Sequence, residues 1–216
     1  MAVDIMVMPL ARYISGSYIT PFMEQIWALQ GVYKIVRPAV ADEDAIEEIP
    51  PGVPYGGLAA EARCEAIAAE LVQQLKQQPE LAGALWDEAA EPVFFDRVDH
   101  GALWDLRWRA ATLVDEKPSL LRRIAWRLLG RRVASSAVAF AAANVFVPGA
   151  FDEPFELEAP SDLGVYDCGS LARLMEELAQ LAVSVEAGTA EGEVLSRLVT
   201  AAEIARERRL PLILDL

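Results

Sequence analysis

His100 is the only histidine of the chain and the side chain best suited to acid–base or metal chemistry near neutral pH. It follows Asp96 and Asp99, and two carboxylates and one imidazole at this spacing could meet at a divalent ion if the segment turned helically. A count of one histidine excludes two-histidine zinc sites and histidine-rich iron sites. Any catalytic triad would have to use His100, and the chain has no G-x-S-x-G elbow around a serine nucleophile.

Two interpretations of Asp96, Asp99 and His100 follow. In the first, they form a metal or acid–base site, and the protein is a small carboxylate-dependent or metal-dependent enzyme. In the second, Asp99 or His100 caps a helix that begins near Gly101, a routine role for a short polar side chain before an apolar-periodic run. The second interpretation is favoured. No glycine-rich phosphate turn follows the first strand, and we expect no cofactor.

The stretch Arg107–Arg132 concentrates positive charge, with eight lysines and arginines against Asp115 and Glu116. Arginines four residues apart repel each other on a helix unless acidic groups face them. The chain's own acidic segments, 42–48 and 152–162, are the first candidates to face them. The alternative is an anionic ligand or a partner protein, with tryptophans supplying flat contact area. The residues that would form this surface are Arg123, Arg127, Arg131, Trp104, Trp108 and Trp126.

The composition is that of a protein with a packed core. Hydrophobic residues make up 54% of the 216 residues and charged residues 24%. The formal net charge of −14 argues against nucleic acid as a partner, because phosphate recognition depends on lysine and arginine. Two cysteines are too few for a disulfide framework, and the helical spacing around Cys64 indicates that it is buried.

The amino terminus predicts no secretory signal, because it lacks a basic region and carries Asp4 instead. The longest apolar stretch, Val133–Val147, is shorter than the about 20 residues of a usual membrane span and contains polar residues. We therefore expect a cytoplasmic protein without a membrane partner. The stretch is apolar on all sides and rich in alanine, which predicts a buried central helix.

Periodicity and breakers predict the remaining elements. Strands are expected near residues 3–8, 32–36, 93–95, 155–157, 163–167 and 212–214. Helices are expected over about 20–31, 58–78, 80–90, 103–114, 120–129, 171–181 and 194–209, with Ser170 capping the sixth of these. An acidic, proline- and glycine-rich loop covers about 38–57. The last strand, 212–214, is expected to pair near the first.

The sequence predicts one globular domain over residues 1–216 with an α+β fold. The fold is predominantly helical, with a small mixed β-sheet formed by the terminal strands and the strands near 32–36 and 163–167. Strong charge segregation without a catalytic motif favours a noncatalytic interaction module whose partner is another protein. One form of it is an inhibitor or immunity-type protein that neutralises a basic partner, since an acidic face speeds such capture.

Overall fold

The α+β class and the helical predominance predicted from the sequence are confirmed. The computed structural model describes residues 2–16, 18, 33–35, 47–49, 57–78, 81, 86–114, 138–158 and 164–215. Helices account for 52% of them, and the described strands include a six-stranded mixed sheet.

The structure describes eight strands and six helices within these residues. The strands are β1 (Ala2–Val7), β2 (Tyr33–Ile35), β3 (Glu47–Ile49), β4 (Phe94–Asp99), β5 (Val145–Val147), β6 (Phe155–Glu158), β7 (Val165–Ser170) and β8 (Leu212–Asp215). The helices are α1 (Leu10–Ser15), α2 (Gly57–Gln77), α3 (His100–Val114), α4 (Ala139–Ala142), α5 (Leu171–Ala182) and α6 (Ala190–Arg208).

The main sheet joins both ends of the described chain. Its strand order is β4-β1-β8-β5-β7-β6; β5 and β7 run parallel, and every other neighbouring pair is antiparallel. Strands β1 and β8 pair with Met6 opposite Ile213, so the predicted pairing of the terminal strands is confirmed. Both strands are rich in branched and apolar residues, which suit a sheet buried on both faces.

Helices cover one face of this sheet. Helix α6 packs on β1, β4 and β8, helix α5 packs on β5 and β7, and helix α3 packs against both helices. Ile5 and Val7 point toward this layer and are fully buried. Met6, which points to the opposite face, is also buried, and on that side Tyr13 of α1 reaches Asp215 of β8. The core therefore lies on both sides of the central strands.

Local capping signals set the ends of the two long C-terminal helices. The Ser170 hydroxyl accepts a hydrogen bond from the Arg173 amide at 3.2 Å, which confirms the predicted cap of α5. The Thr189 hydroxyl accepts one from the Gly192 amide at 3.1 Å at the start of α6. Helix α6 ends at Arg208, and the C-cap residue Arg209 adopts a left-handed conformation with φ of 54° before Leu210 and Pro211.

The predicted place of the strand near 32–36 in the main sheet is wrong. Strand β2 forms there but pairs with β3, antiparallel, in a separate two-stranded sheet. Strand β3 lies inside the segment predicted to be an acidic loop. Its Glu47 and Glu48 have low strand propensity, so the sequence pattern did not indicate a strand.

Two predicted helices are also corrected. Residues 138–147 are buried as expected, but they form the short helix α4, a turn at Ala143 and Asn144, and strand β5. The apolar run fits a buried strand as well as a buried helix, and periodicity cannot separate the two. The predicted helix over 80–90 is wrong in its second half. Residues 86–93 form turns and irregular chain.

Candidate functional site: an acidic pocket between two helix N-termini

The three residues of the predicted metal site are each engaged in a different interaction. Asp96 Oδ1 accepts a hydrogen bond from Arg197 Nη1 of α6 at 2.9 Å. Asp99 Oδ1 accepts one from the Ala102 amide at 2.8 Å, and His100 Nε2 accepts one from Trp104 Nε1 at 2.6 Å. Asp99 therefore caps α3, as the second interpretation expected. Within the described residues, no group of three or more histidine, cysteine, aspartate or glutamate side chains is arranged to hold a metal ion.

Replacing Asp99 with alanine is expected to lower the free energy of unfolding by about 1 kcal/mol, because an amide in the first turn of α3 loses its acceptor. Chemical denaturation of the purified variant measures this loss. Asp99→Asn keeps an acceptor oxygen and should retain most of the stability. The metal content of the wild type, of Asp99→Asn and of His100→Ala tests the alternative interpretation. A metal that is bound by the wild type and lost in either variant would support a metal site.

Arg107 belongs to the basic stretch but lies in the core, with no exposed surface. Its Nη2 donates to the carbonyl oxygen of Ala143 and to Asn144 Oδ1, the latter at 3.3 Å. The guanidinium carbon lies 5.8 Å from the centroid of the Trp104 ring and 5.6 Å from that of Phe140. These distances are typical of cation–π contacts. Arg107 therefore ties α3 to the turn between α4 and β5.

Two of the three tryptophans of the proposed partner-binding surface lie within the described residues. Trp104 and Trp108 are partly buried and pack against the core, so they form the margin of the core on α3. Arg123, Arg127, Arg131 and Trp126 lie outside the described residues. Their predicted role in partner or anion binding stays a prediction.

Arg109 has an acidic partner that the sequence did not indicate. Its Nη2 lies 2.6 Å from Glu191 Oε2 at the start of α6, and its Nη1 donates to the carbonyl oxygen of Ser184 at 3.2 Å. Glu191 lies outside segments 42–48 and 152–162, the acidic candidates named from the sequence for the arginine row at 123, 127 and 131, which lies outside the described residues. The two helices meet only in the tertiary fold, so no local pattern predicts the pair.

This ion pair forms one wall of an open pocket between the N-terminal ends of α3 and α6. The pocket has a volume of about 570 Å³. Four carboxylates and one guanidinium line it, and the guanidinium is that of Arg109. The residues lining the pocket are Asp99, Gly101, Ala102, Asp105, Arg109, Ser184, Glu186, Thr189, Ala190 and Glu191.

The carboxylates of the pocket have different local roles. Asp99 caps α3, and Glu191 lies in the first turn of α6 and pairs with Arg109, so both also complement the positive end of a helix dipole. Glu186 is exposed and precedes the cap of α6 at Thr189. Asp105 lies one helical turn beyond Gly101 on α3. Glu186 and Asp105 add negative charge to the pocket without capping a helix.

A second group of polar side chains lies on the opposite face of the main sheet. Arg97 pairs with Asp4 across β4 and β1, with its Nε 2.5 Å and its Nη2 2.9 Å from the two carboxylate oxygens. Tyr13 Oη donates to Asp215 Oδ1 at 2.9 Å. Burial and the nearby Asp215 raise the pKa of Tyr13, so its hydroxyl stays protonated at neutral pH. The Arg97–Asp4 pair neutralises its own charges, and the Tyr13 hydroxyl has an acceptor, which is the pattern of structural contacts.

The two cysteines offer no reactive thiolate. Cys168 is fully buried on β7, and burial raises its pKa well above the usual value. Cys64 lies on α2, partly buried against the core as its helical spacing predicted, and partial burial raises its pKa as well. A thiol with a raised pKa is mostly protonated at neutral pH and therefore a poor nucleophile.

Comparison with protein families, curated proteins and solved structures finds no match for this chain. Among the helices within the described ranges, none combines the length and the apolar composition that crossing a membrane requires.

Proposed function

We propose that this protein is a noncatalytic interaction module that binds a basic protein partner through the acidic pocket between α3 and α6. The observation that carries the proposal is the lining of the pocket, which includes four carboxylates and one guanidinium, and the guanidinium is already paired with one of these carboxylates. The negative charge of this lining favours a lysine or arginine side chain of a partner. An inhibitor or immunity-type protein is the form of this function that we favour.

The charge of the whole chain supports the same partner chemistry. A protein of formal charge −14 attracts a basic surface over a distance of about one Debye length, roughly 8 Å at physiological salt. Such attraction raises the rate of encounter more than the affinity of the final complex. The pocket then supplies close contacts, in which an arginine of the partner can bind a carboxylate through two parallel hydrogen bonds.

The arrangement of His100 favours binding over catalysis. Its Nε2 accepts the hydrogen bond from Trp104, and its two acidic neighbours are engaged with Arg197 and with the Ala102 amide. A general base needs a lone pair within hydrogen-bond reach of a substrate proton. In the described arrangement this nitrogen is already occupied, which supports the noncatalytic proposal.

The test is capture of a basic partner from an extract of the native cell by two tagged variants of equal charge. The pocket variant Asp105→Asn with Glu186→Gln removes two carboxylates from the pocket lining. The control variant Glu203→Gln with Glu207→Gln removes two exposed carboxylates from the C-terminal part of α6. We expect the wild type and the control variant to retain the same basic protein and the pocket variant to lose most of it.

The matched charges make the outcome decisive. Equal loss in both variants would mean that general negative charge, and not the pocket, attracts the partner. Capture that is unchanged in the pocket variant would contradict the proposal. Circular dichroism and denaturation curves of both variants show whether the fold is intact before capture is compared.

A further inference from the structure

Glu88 is a buried carboxylate in a segment without regular structure, residues 86–91, which lies between α2 and β4. Only 6% of its surface is exposed. Its Oε2 accepts a hydrogen bond from the Ala11 amide in the first turn of α1 at 2.8 Å, and its Oε1 accepts one from Trp86 Nε1 at 2.5 Å. Trp86 is itself buried, with 7% of its surface exposed. The carboxylate therefore joins the segment to α1.

Arg12, a cation of the same region, does not pair with this carboxylate. Arg12 of α1 directs its Nε to the carbonyl oxygen of Ala90 at 2.9 Å and its Nη2 to Glu91 at 2.6 Å. Among the described residues, the ion pairs of this region include Arg12 with Glu91 and none with Glu88. Glu88 thus receives hydrogen bonds from two neutral N–H groups.

The other titratable groups around Glu88 do not favour its ionised form. Asp87 precedes it in the same segment and adds negative charge, and Cys64 of α2 lies within electrostatic reach as a protonated thiol. A carboxylate that is removed from water without a cationic partner is costly, and it lowers this cost by binding a proton.

The pKa of Glu88 agrees with this geometry. Burial raises it from 4.5 to about 7, and Asp87 adds to the rise. The hydrogen bonds from Ala11 and Trp86 favour the charged form and oppose the rise without cancelling it. When the segment opens and water reaches Glu88, its pKa returns toward the ordinary value. The closed segment therefore binds a proton more tightly than the open one does.

We propose that residues 86–91 form a proton-dependent latch, which Glu88 holds closed over α1 and α2 when protonated and which opens more readily when Glu88 is ionised. Because the closed state has the higher pKa, its advantage is fully present below about pH 4.5 and is lost as the pH rises to about 7. Opening would expose Trp86, which is buried in the closed segment. The latch lies apart from the acidic pocket and does not depend on the function proposed for it.

Amide hydrogen exchange of the full-length protein at pH 5 and pH 8 tests the latch, after correction for the intrinsic effect of pH on exchange. In the wild type we expect the protection of α1 and residues 86–93 to fall roughly 30- to 100-fold between these values. The Glu88→Gln side chain cannot ionise. In this variant we expect the protection to be the same at pH 5 and pH 8, whether it is higher or lower than in the wild type. Glu91→Gln, which alters the exposed carboxylate of the same segment, should keep the pH dependence of the wild type.

Two results would overturn the latch. The first is wild-type protection of this region that is constant or rises from pH 5 to pH 8. The second is a pH dependence that persists in Glu88→Gln. Direct titration of the Glu88 carboxyl carbon by NMR in the wild type provides a measurement that needs no variant: a midpoint near 7 supports the proposal, and a midpoint near 4.5 refutes it.

Discussion

Replacing Arg107 with alanine is expected to lower the free energy of unfolding by about 2–4 kcal/mol. The substitution leaves a cavity in the core, removes the cation–π contacts with Trp104 and Phe140, and deprives the carbonyl oxygen of Ala143 and the side chain of Asn144 of a donor. Removing the buried charge returns part of this cost, because a charge is poorly solvated in the core. Urea denaturation followed by circular dichroism measures the change.

Two further variants separate volume from hydrogen bonding. Arg107→Met fills most of the space but donates no hydrogen bond, so its loss should be about half that of Arg107→Ala. Arg109→Ala removes a partly exposed ion pair with Glu191 and should cost about 1 kcal/mol or less. If Arg107→Ala were as stable as the wild type within about 1 kcal/mol, Arg107 would not join α3 to the turn at Ala143 and Asn144 in the way described.

Reversing the charge of Glu186 is expected to weaken binding of the captured basic partner by about ten- to hundredfold. Glu186→Lys places a cation at the mouth of the pocket, where a lysine or arginine of the partner would enter. Like charges opposed across an interface cost several kcal/mol when close and less when water screens them. Because Glu186 is exposed, water screens the introduced charge, and we expect the weakening to be closer to tenfold than to hundredfold. Titration calorimetry with the purified partner gives the affinity.

The matched control is Glu203→Lys, which introduces the same charge at an exposed position on α6 outside the pocket lining. We expect it to change the affinity by less than about threefold, because water and salt screen a distant exposed charge. Equal weakening by both substitutions would show that the pocket has no special role.

Local sequence signals were sufficient for much of the fold. The leucine stripe of α5, its Ser170 cap and the run of cations that ends α6 each lie within a few residues of the element that they define. The pairing of β1 with β8 was also predicted, because both are short apolar strands at the ends of the chain. The stripe, the cap and the terminal cations depend on neighbours along the chain, and tertiary contacts did not override them.

Other parts of the fold depend on contacts between distant segments. Strand β2 has the composition of a strand, but its partner β3 begins with two glutamates and has no strand pattern of its own. The apolar residues 138–147 suit a helix or a strand equally, and the tertiary fold places β5 between β7 and β8. Single-sequence patterns carry no information about which alternative the rest of the core selects.

The sequence indicated residues on only one side of the candidate site. Asp99 drew attention because it stands next to His100, and its capping role was recognised from the helix that follows. The other wall of the pocket comes from residues 184–191, more than 70 positions later, where Thr189 and Glu191 resemble an ordinary helix start. Their position opposite α3 follows from the packing of α6 against α3, which no local signal encodes.

The most direct test of the acidic pocket is the salt dependence of the association rate between this protein and its captured partner, measured by stopped flow for the wild type and for the double pocket variant. For the wild type we predict a fall of at least about tenfold between roughly 50 mM and 500 mM salt, because screening removes the attraction that guides the encounter. The pocket variant, Asp105→Asn with Glu186→Gln, should associate more slowly at low salt, and its association rate should depend less on the salt concentration. A wild-type rate and affinity that do not change with salt would contradict the account.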